Sequence, residues 1–490
     1  MQRLHRARFG FFRPDRTGFG RTASLLIALL VCGGAEAADS PLSDAAKRGD
    51  RDTVLALIGQ QADVNVPAVD GTTALHWAVY HNDLELATRL LNARADVNVK
   101  NRYDVPPLAL ACTNANPRMV DLLLEAGADP KAAPAGEPVL MTAARTGNVD
   151  AVKALLGRGA EVNTPEPLRG QTALMWAAIE NHPAVVRHLL ENGADVHARS
   201  KAGSTSLMFA AREGHLETAR ILVESGADVN QAMPNGATVL MLAIDNLRYP
   251  VAAFLLEKRA NPNAINKQGE AALHAAVRGR APTRRRRPVD ELQSADLLQR
   301  LLVNGANPNT RTPQAPRITD DKVASSLRPA IDNVVNLGGA TPFLLAAQAA
   351  DVKAMRILLE HGADPSIATY ENTTTLMIAA GVGFVEGREK VRPESEALAA
   401  VKMLAEAGVD VNAVNARGQT ALHGAVYRAG NTIIEFLLKA GARTDVQDEL
   451  GRTALKLAET GFNQVSSVIR RESSAALLRS LTSTRLQSAR

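Results

Sequence analysis

From Gly203 to Asn235 the chain reads GSTSLMFAAREGHLETARILVESGADVNQAMPN, and the same sentence of about 33 residues recurs from end to end. Fixed-period repetition at this length constrains the fold more than any other feature of the chain. Within the unit, Thr205 and Ser206 offer hydroxyls to the free N–H groups of a first helical turn, and Leu207, Phe209, Ala210 and Ala211 give that helix an apolar face. Gly214 stops it. A second helix starts near His215, sets Leu216, Ala219, Leu222 and Val223 on one side at three- and four-residue steps, and ends at Gly226. Ala227 to Asn235 is turn chemistry. A unit this short cannot enclose its own apolar face, so its helix pair must stack on the copies before and after it.

The Thr of each TxLx motif, or its replacement, marks the repeats at Ser40, Thr73, Pro106, Pro138, Thr172, Thr205, Thr238, Ala271, Thr341, Thr374, Thr420 and Thr453. Most steps are 32 to 34 residues, but Ala271 to Thr341 is 70 and Thr374 to Thr420 is 46. Insertions near 279–294 and 381–396 each add 13 residues between a first and a second helix, so both leave one edge of the array. A third, near 310–339, falls in the turn region and is expected to leave from the opposite edge.

The wording of the repeats, TALHWA at Thr73 to Ala78, TALHGA at Thr420 to Ala425 and GADVN at Gly226 to Asn230, resembles the ankyrin-repeat family. The resemblance covers nearly all of the chain beyond residue 38. It implies an all-α solenoid of about 12 stacked helix-turn-helix repeats with short β-hairpin fingers, spanning 38–480 and followed by a polar tail at 481–490. Charged residues in the first and last repeats fit the wet outer faces that end caps need.

The net charge of +5 and pI near 9.2 invite a nucleic-acid reading. The excess is local. Residues 1–37 hold six arginines against two acids, followed by an apolar run from Ala23 to Val31 and then Ala35-Glu36-Ala37, the pattern of a cleaved signal peptide. The remaining 50 basic and 49 acidic residues leave +1, so charge names no partner. The apolar run is too short to span roughly 30 Å of hydrocarbon, which predicts export without a membrane span, to the periplasm rather than the medium. Cys32 is either removed with the leader or lipidated, although Val31 argues against the latter. Cys112 is then the one thiol left and reads as a buried small residue.

His76, His274 and His423 share one motif position, but equivalent positions in successive repeats lie about 8 to 10 Å apart, too far to share a metal. The resemblance implies that each His bonds its own motif Thr and neighbouring backbone; Ala271 lacks that hydroxyl. Met141, Met175, Met208, Met241 and Met377 read as core filling, not copper ligands. Asp63, Asp96, Asp129, Asp195, Asp228, Asp364 and Asp410 read as turn formers, not calcium ligands. Trp77 and Trp176 read as core. Arg284 to Arg287 reads as a solvated loop. A phosphate loop, a GxSxG elbow, an HExxH helix and a Cys-His pair are all missing from the sequence, so neither enzyme chemistry nor a cofactor or metal is expected.

What remains is surface. In ankyrin-like proteins partners lie across the finger tips and the exposed ends of the first helices. Those places here hold Tyr80, His81, Arg102, Tyr103, Arg145, Arg169, Lys201, Arg212, Glu213, Lys267, Gln268, Tyr370, Glu371, Arg417, Tyr427 and Arg428. Four of the five tyrosines are among them, and Tyr and Arg favour protein interfaces. The expectation is a monomeric, non-enzymatic scaffold that binds a partner protein, and no nucleic acid, along the concave face. One alternative is a secreted effector acting on foreign-cell proteins; another is a small-ligand or catalytic site built from the insertion loops.

Overall fold

Each marker residue sits where a first helix begins. In the computed structural model, which describes residues 40–280, 290–313, 333, 335–384, 393–464 and 467–488, the chain forms twelve helix pairs. Eleven of the twelve markers are the N-cap of a first helix; the twelfth, Ala271, immediately precedes one. Where the marker is Ser or Thr, its side-chain oxygen accepts from the backbone three residues on, as in Met175 N to Thr172 Oγ1 at 3.4 Å and Met377 N to Thr374 Oγ1 at 3.2 Å. One free helical donor is satisfied each time.

The helices fall into two compact units, residues 1–201 and 202–490. In the first unit the pairs are α1 (Pro41–Arg48) with α2 (Arg51–Gly59), α3 (Ala74–Tyr80) with α4 (Leu84–Asn92), α5 (Pro107–Thr113) with α6 (Pro117–Glu125), α7 (Val139–Thr146) with α8 (Val149–Gly157), and α9 (Ala173–Ile179) with α10 (Pro183–Glu191). The second unit begins with α11 (Ser206–Glu213) and α12 (Leu216–Glu224), α13 (Val239–Asp245) and α14 (Tyr249–Glu257), α15 (Ala272–Arg280) and α16 (Glu291–Val303). It continues with α17 (Pro342–Gln348) and α18 (Val352–Glu360), α19 (Thr375–Ala380) and α20 (Glu394–Glu406), α21 (Ala421–Arg428) and α22 (Asn431–Lys439), and ends on α23 (Ala454–Thr460) and α24 (Glu472–Ser488). Within each unit first helices pack on first helices and second on second. The core is therefore a ribbon of small and aliphatic side chains, among them Ala78, Ala111, Ala144, Ala178, Ala211 and Ala347, all fully buried. Met141, Met175, Met208, Met241 and Met377 lie in it.

The second helices are joined by side chains at their C-terminal turns. Asp96 accepts from Asn98 N at 2.9 Å and Asp364 from Ser366 N at 2.8 Å, and five further turns, closed by Asp63, Asp129, Asp195, Asp228 and Asp410, do the same. The neighbouring asparagine then reaches the next repeat: Asn98 Nδ2 donates to Gly127 O at 3.0 Å while its Oδ1 accepts from Asp129 N at 2.8 Å. Asn65, Asn163, Asn263, Asn309 and Asn412 repeat the two-bond link. A sequence reading that stops at Asp as a turn former misses this ladder.

The fingers are tighter than the expected β-hairpins. They are turns closed by a backbone bond such as Asn101 N to Val105 O, and among the described residues only Ala232 with Thr238 forms an isolated β-bridge. The paired strands lie elsewhere: β1 (Phe462–Gln464) runs antiparallel to β2 (Ser467–Ile469) between the two helices of the last repeat. After them α24 continues to Ser488, through most of the stretch expected as a polar tail.

The insertions divide their residues between loop and helix. Both α16 and α20 are 13 residues long where the other second helices of inner repeats have nine, so four inserted residues in each case become one further turn. The Arg284 to Arg287 run and residues 1–37, with the leader cleavage site and Cys32, lie outside the described residues.

Candidate interaction face

The face expected to meet a partner is built from the C-terminal ends of the first helices and the fingers, and its backbone is fixed. Successive fingers are tied by one backbone bond: Arg102 N donates to Asp70 O at 2.7 Å, Lys201 N to Arg169 O at 2.8 Å, Lys267 N to Asn235 O at 2.9 Å, and Glu449 N to Arg417 O at 2.9 Å. Side chains project from a row that is already ordered, so binding there costs little backbone entropy.

In the first unit the candidate residues are accessible. His81, Arg102, Arg169 and Lys201 are exposed, and Tyr80, Tyr103 and Arg145 are half-buried. Tyr80 and His81 cap an aromatic cluster on α3: the Trp77 and Tyr80 rings meet edge to face with centroids 5.6 Å apart, and the His81 ring lies over Trp77 at 6.2 Å and 29°. Lys47 Nζ stands 5.6 Å from the Trp77 centroid, and His81 Nε2 is 3.1 Å from Lys47 O. The Trp77 ring itself is 3% exposed, as a core residue should be, and its indole N–H has no hydrogen-bond partner among the described residues. Arg145 lies 5.5 Å from the Trp176 ring centroid and pairs with Glu137 at 3.3 Å. The i, i+3, i+4 spacing of Trp77, Tyr80 and His81 was a signal that a residue-type search passed over.

In the second unit the candidates divide. Lys267 and Gln268 are exposed and Arg212 and Glu213 half-buried, with Arg212 Nε donating to Glu213 Oε1 at 2.9 Å and its guanidinium 5.1 Å from the Phe209 ring. Arg417 is held by Glu449, Nε to Oε1 at 2.8 Å. Tyr427 is a correction: it is 1% exposed, its ring meets Phe462 edge to face at 4.8 Å, and its hydroxyl accepts from Gln419 Nε2 at 3.3 Å. The β1–β2 hairpin covers it, so its position at a variable place reflects core packing and not contact with a partner. Arg428 lies 5.1 Å from the Phe384 ring.

Tyr370 and Glu371 are engaged by their own chain. Tyr370 N donates to Gly338 O at 2.9 Å, the Arg311 guanidinium sits 4.3 Å from its ring, and Asn336 Nδ2 donates to Glu371 Oε1 at 3.2 Å. The third insertion therefore does not stay at the finger edge. Its returning residues 335–339 cross the first-helix face, and Asn333 bonds Gly381, Gly383 and Phe384 at the base of the second insertion, at the far edge.

The motif histidines tie repeats together. His76 Nδ1 accepts from Thr73 N at 3.1 Å and lies 2.9 Å from Thr73 Oγ1, and Nε2 reaches Val105 O of the next repeat at 3.0 Å. An acceptor at Nδ1 and a carbonyl at Nε2 fit one neutral tautomer. Burial lowers the His76 pKa from 6.5 to about 4. His423 repeats the arrangement with Thr420 and Arg452 O; His274 keeps the Ala271 N and Ala340 O contacts without the hydroxyl. Burial lowers both pKa values as well. Cys112 is fully buried, and burial pushes its thiol up to about 12. Among the described residues no cluster of three His, Cys, Asp or Glu could hold a metal ion, and no helix is long and apolar enough to cross a membrane.

The family description "Ankyrin repeats (3 copies)" matches residues 22–101, 42–134, 108–200, 140–233, 207–312 and 393–470, and "Ankyrin repeat" matches 338–370. The chain belongs to the ankyrin-repeat family. Stacked ankyrin repeats are a scaffold for protein–protein contacts. Similar proteins include the ankyrin repeat protein nuc-2 of Neurospora crassa, 33% identical over 32% of this chain and 15% of that protein. A putative ankyrin repeat protein of Escherichia coli K12, YahD, is 30% identical over 32% of this chain and 82% of its own length. Among solved structures, the human ASB11 ankyrin repeat domain aligns with 46% of this chain and 100% of its own, at 27% identity and a TM-score of 0.42. The chain spans about a seventh to a fifth of the length of the first curated relatives it matches, 15%, 22% and 20%.

Proposed function

We propose that this ankyrin-repeat protein is an exported, periplasmic, non-enzymatic scaffold that binds a partner protein on the first-helix and finger face of its first unit. The observation that carries the reading is the Trp77–Tyr80–His81 cluster. It offers two rings at the surface, held in place by a buried third, and the next finger carries the exposed Arg102 and the half-buried Tyr103. Aromatic rings with a polar edge combine contact area with low rotamer entropy, and such residues dominate interface energetics. Arg145, Arg169 and Lys201 extend the face in the first unit, and Arg212, Glu213, Lys267 and Gln268 supply the corresponding places in the second. Export rests on the leader pattern of residues 1–37.

Photo-crosslinking in intact cells tests the face. A photoreactive phenylalanine at positions 80, 103 and 169 should give adducts, whereas the same group at Glu85 and Asp121, exposed on the second helices, should not. Equal adducts from both sets would rule out the proposed face. Recovery in the osmotic-shock fraction with an N-terminus at Ala38 is the expected result for export; an intact Met1 on the exported protein would contradict the leader.

A further inference from the structure

One second helix turns aliphatic side chains to water. Among the described residues the large apolar side chains left exposed lie in turns and fingers, except two, and both are on α16: Leu292 at 77% and Val303 at 76%. They share one stripe. Leu292, Asp296, Gln299 and Val303 follow at steps of four, three and four, so all face outward, and the aliphatic ends stand about 17 Å apart. Leu292 belongs to the turn that the insertion adds at the start of α16. The other lengthened helix has no such exposure: counted from its first residue, α20 carries Ser395, Ala399, Lys402 and Glu406 at the same places.

A groove of about 630 Å³ runs beside the stripe, between α16 and α18. The buried Ala295 and Ile357 and the half-buried Val352 line it, and Lys353, Arg356 and Glu360 stand along its α18 side. Other gaps between second helices of this unit are bridged, by Arg220 over the Phe254 ring at 4.9 Å, Arg300 to Glu257 at 3.7 Å and Lys402 over the Phe436 ring at 5.9 Å. Here the side chains of Lys353, Arg356 and Glu360 form no ion pair or hydrogen bond among the described residues, and neither does that of Gln299.

The stripe is its own complement when two copies meet antiparallel. A twofold axis level with the midpoint between Leu297 and Leu298 sets Leu292 against Val303 of the second copy, and Asp296 against Gln299 of the second copy, each pair formed twice, as an isologous contact requires. Aliphatic meets aliphatic. The Asp296 carboxylate, held by Arg300 Nε at 2.7 Å, meets an amide donor. The groove fits the same arrangement, because the C-terminal end of the incoming helix lies by Lys353 and its N-terminal end by Glu360, the charges that each end of a helix dipole favours. We propose that the protein associates with a second copy of itself through α16, each α16 lying in the other's α16–α18 groove, in place of the monomer expected from the sequence. The contact uses second helices of the second unit, whereas the face proposed for the partner protein uses first helices and fingers of the first.

Sedimentation velocity of the full chain, with reductant present so that no disulfide contributes, tests the contact. Wild type should pass from monomer to dimer between about 1 and 100 µM, the range suited to an interface this small. Leu292→Asp should sediment as a monomer throughout. Gln299 tests the register by sign: Gln299→Lys should tighten the dimer about tenfold at low salt, since the lysine faces Asp296 twice, and Gln299→Asp should weaken it by a similar factor. Both shifts should fade at high salt. These positions are exposed, so circular dichroism should show wild-type helicity in each variant; if Leu292→Asp loses it, Val303→Asp takes its place. A wild type that is monomeric at the upper end of that range would overturn the proposal, as would a dimer that Leu292→Asp leaves intact. A dimer that the lysine and the aspartate affect alike would overturn the antiparallel register.

Discussion

Acid should loosen the second repeat through His76, and the size of the effect follows from the site. The imidazole is fully buried, with Nδ1 accepting from Thr73 N and Nε2 reaching Val105 O, and it has no room for a second ring proton. Its pKa is lowered by burial from 6.5 to about 4. A group whose folded pKa lies below its unfolded value adds stability above the unfolded pKa and loses it as pH falls towards the folded one. For a drop from 6.5 to about 4 the loss is about 2 kcal/mol at pH 5 and about 3 kcal/mol below pH 4. Stacked repeats open locally, so the assay is amide exchange along α3, comparing wild type with His76→Gln at matched pH. Whatever the variant costs at pH 7, its deficit should shrink by about 2 kcal/mol at pH 5, roughly a thirtyfold change in relative protection. His274 and His423 are present in both proteins and cancel. An identical wild type–variant difference at the two pH values would refute the buried neutral imidazole.

Tyr427→Ala should lower stability by about 3–5 kcal/mol in urea titration, because it empties a core site, while Tyr80→Ala should cost under about 1 kcal/mol. Asp351 is 2% exposed and holds Arg280, itself nearly buried, through Nε to Oδ2 at 2.7 Å and Nη2 to Oδ1 at 3.2 Å. Asp351→Ala should therefore cost about 3–5 kcal/mol by stranding the guanidinium, and Arg280→Met made with Asp351→Leu should cost less than the single change. Cys112 should resist a thiol reagent at pH 8 in the native protein and react at once in urea, since burial holds its pKa at about 12.

The repeat frame was legible in the sequence because the marker oxygens, the glycines and the apolar steps are all local signals. Even Pro106 and Pro138, which lack a hydroxyl, stand at helix starts, since a fixed φ suits that place. The asparagine ladder was not legible as a link, because its partner lies about thirty residues away and only stacking brings Asn98 to Gly127. The candidate face was half legible. Period arithmetic located Tyr80 and Tyr103, but it assigned Tyr427 by the same arithmetic and could not see that β1 and β2 fold over it. The return path of the third insertion was not legible for a similar reason. Its departure point is set by where it interrupts the repeat, whereas its return is set by Asn333, Val335 and Leu337 finding partners across the face.

The further turn at the start of α16 and α20 has a consequence for how this fold can change over generations. Four residues nearly complete one 3.6-residue turn, so Leu297 and Leu298 in one helix, and Val401 and Leu404 in the other, stay fully buried in the stripe that the shorter helices present. The stack below does not register how many residues precede the turn. Sequence between Arg280 and Glu291, or between Phe384 and Glu394, can lengthen, shorten or be exchanged while the stack keeps its register, which makes this edge the part of the protein freest to acquire a new specificity.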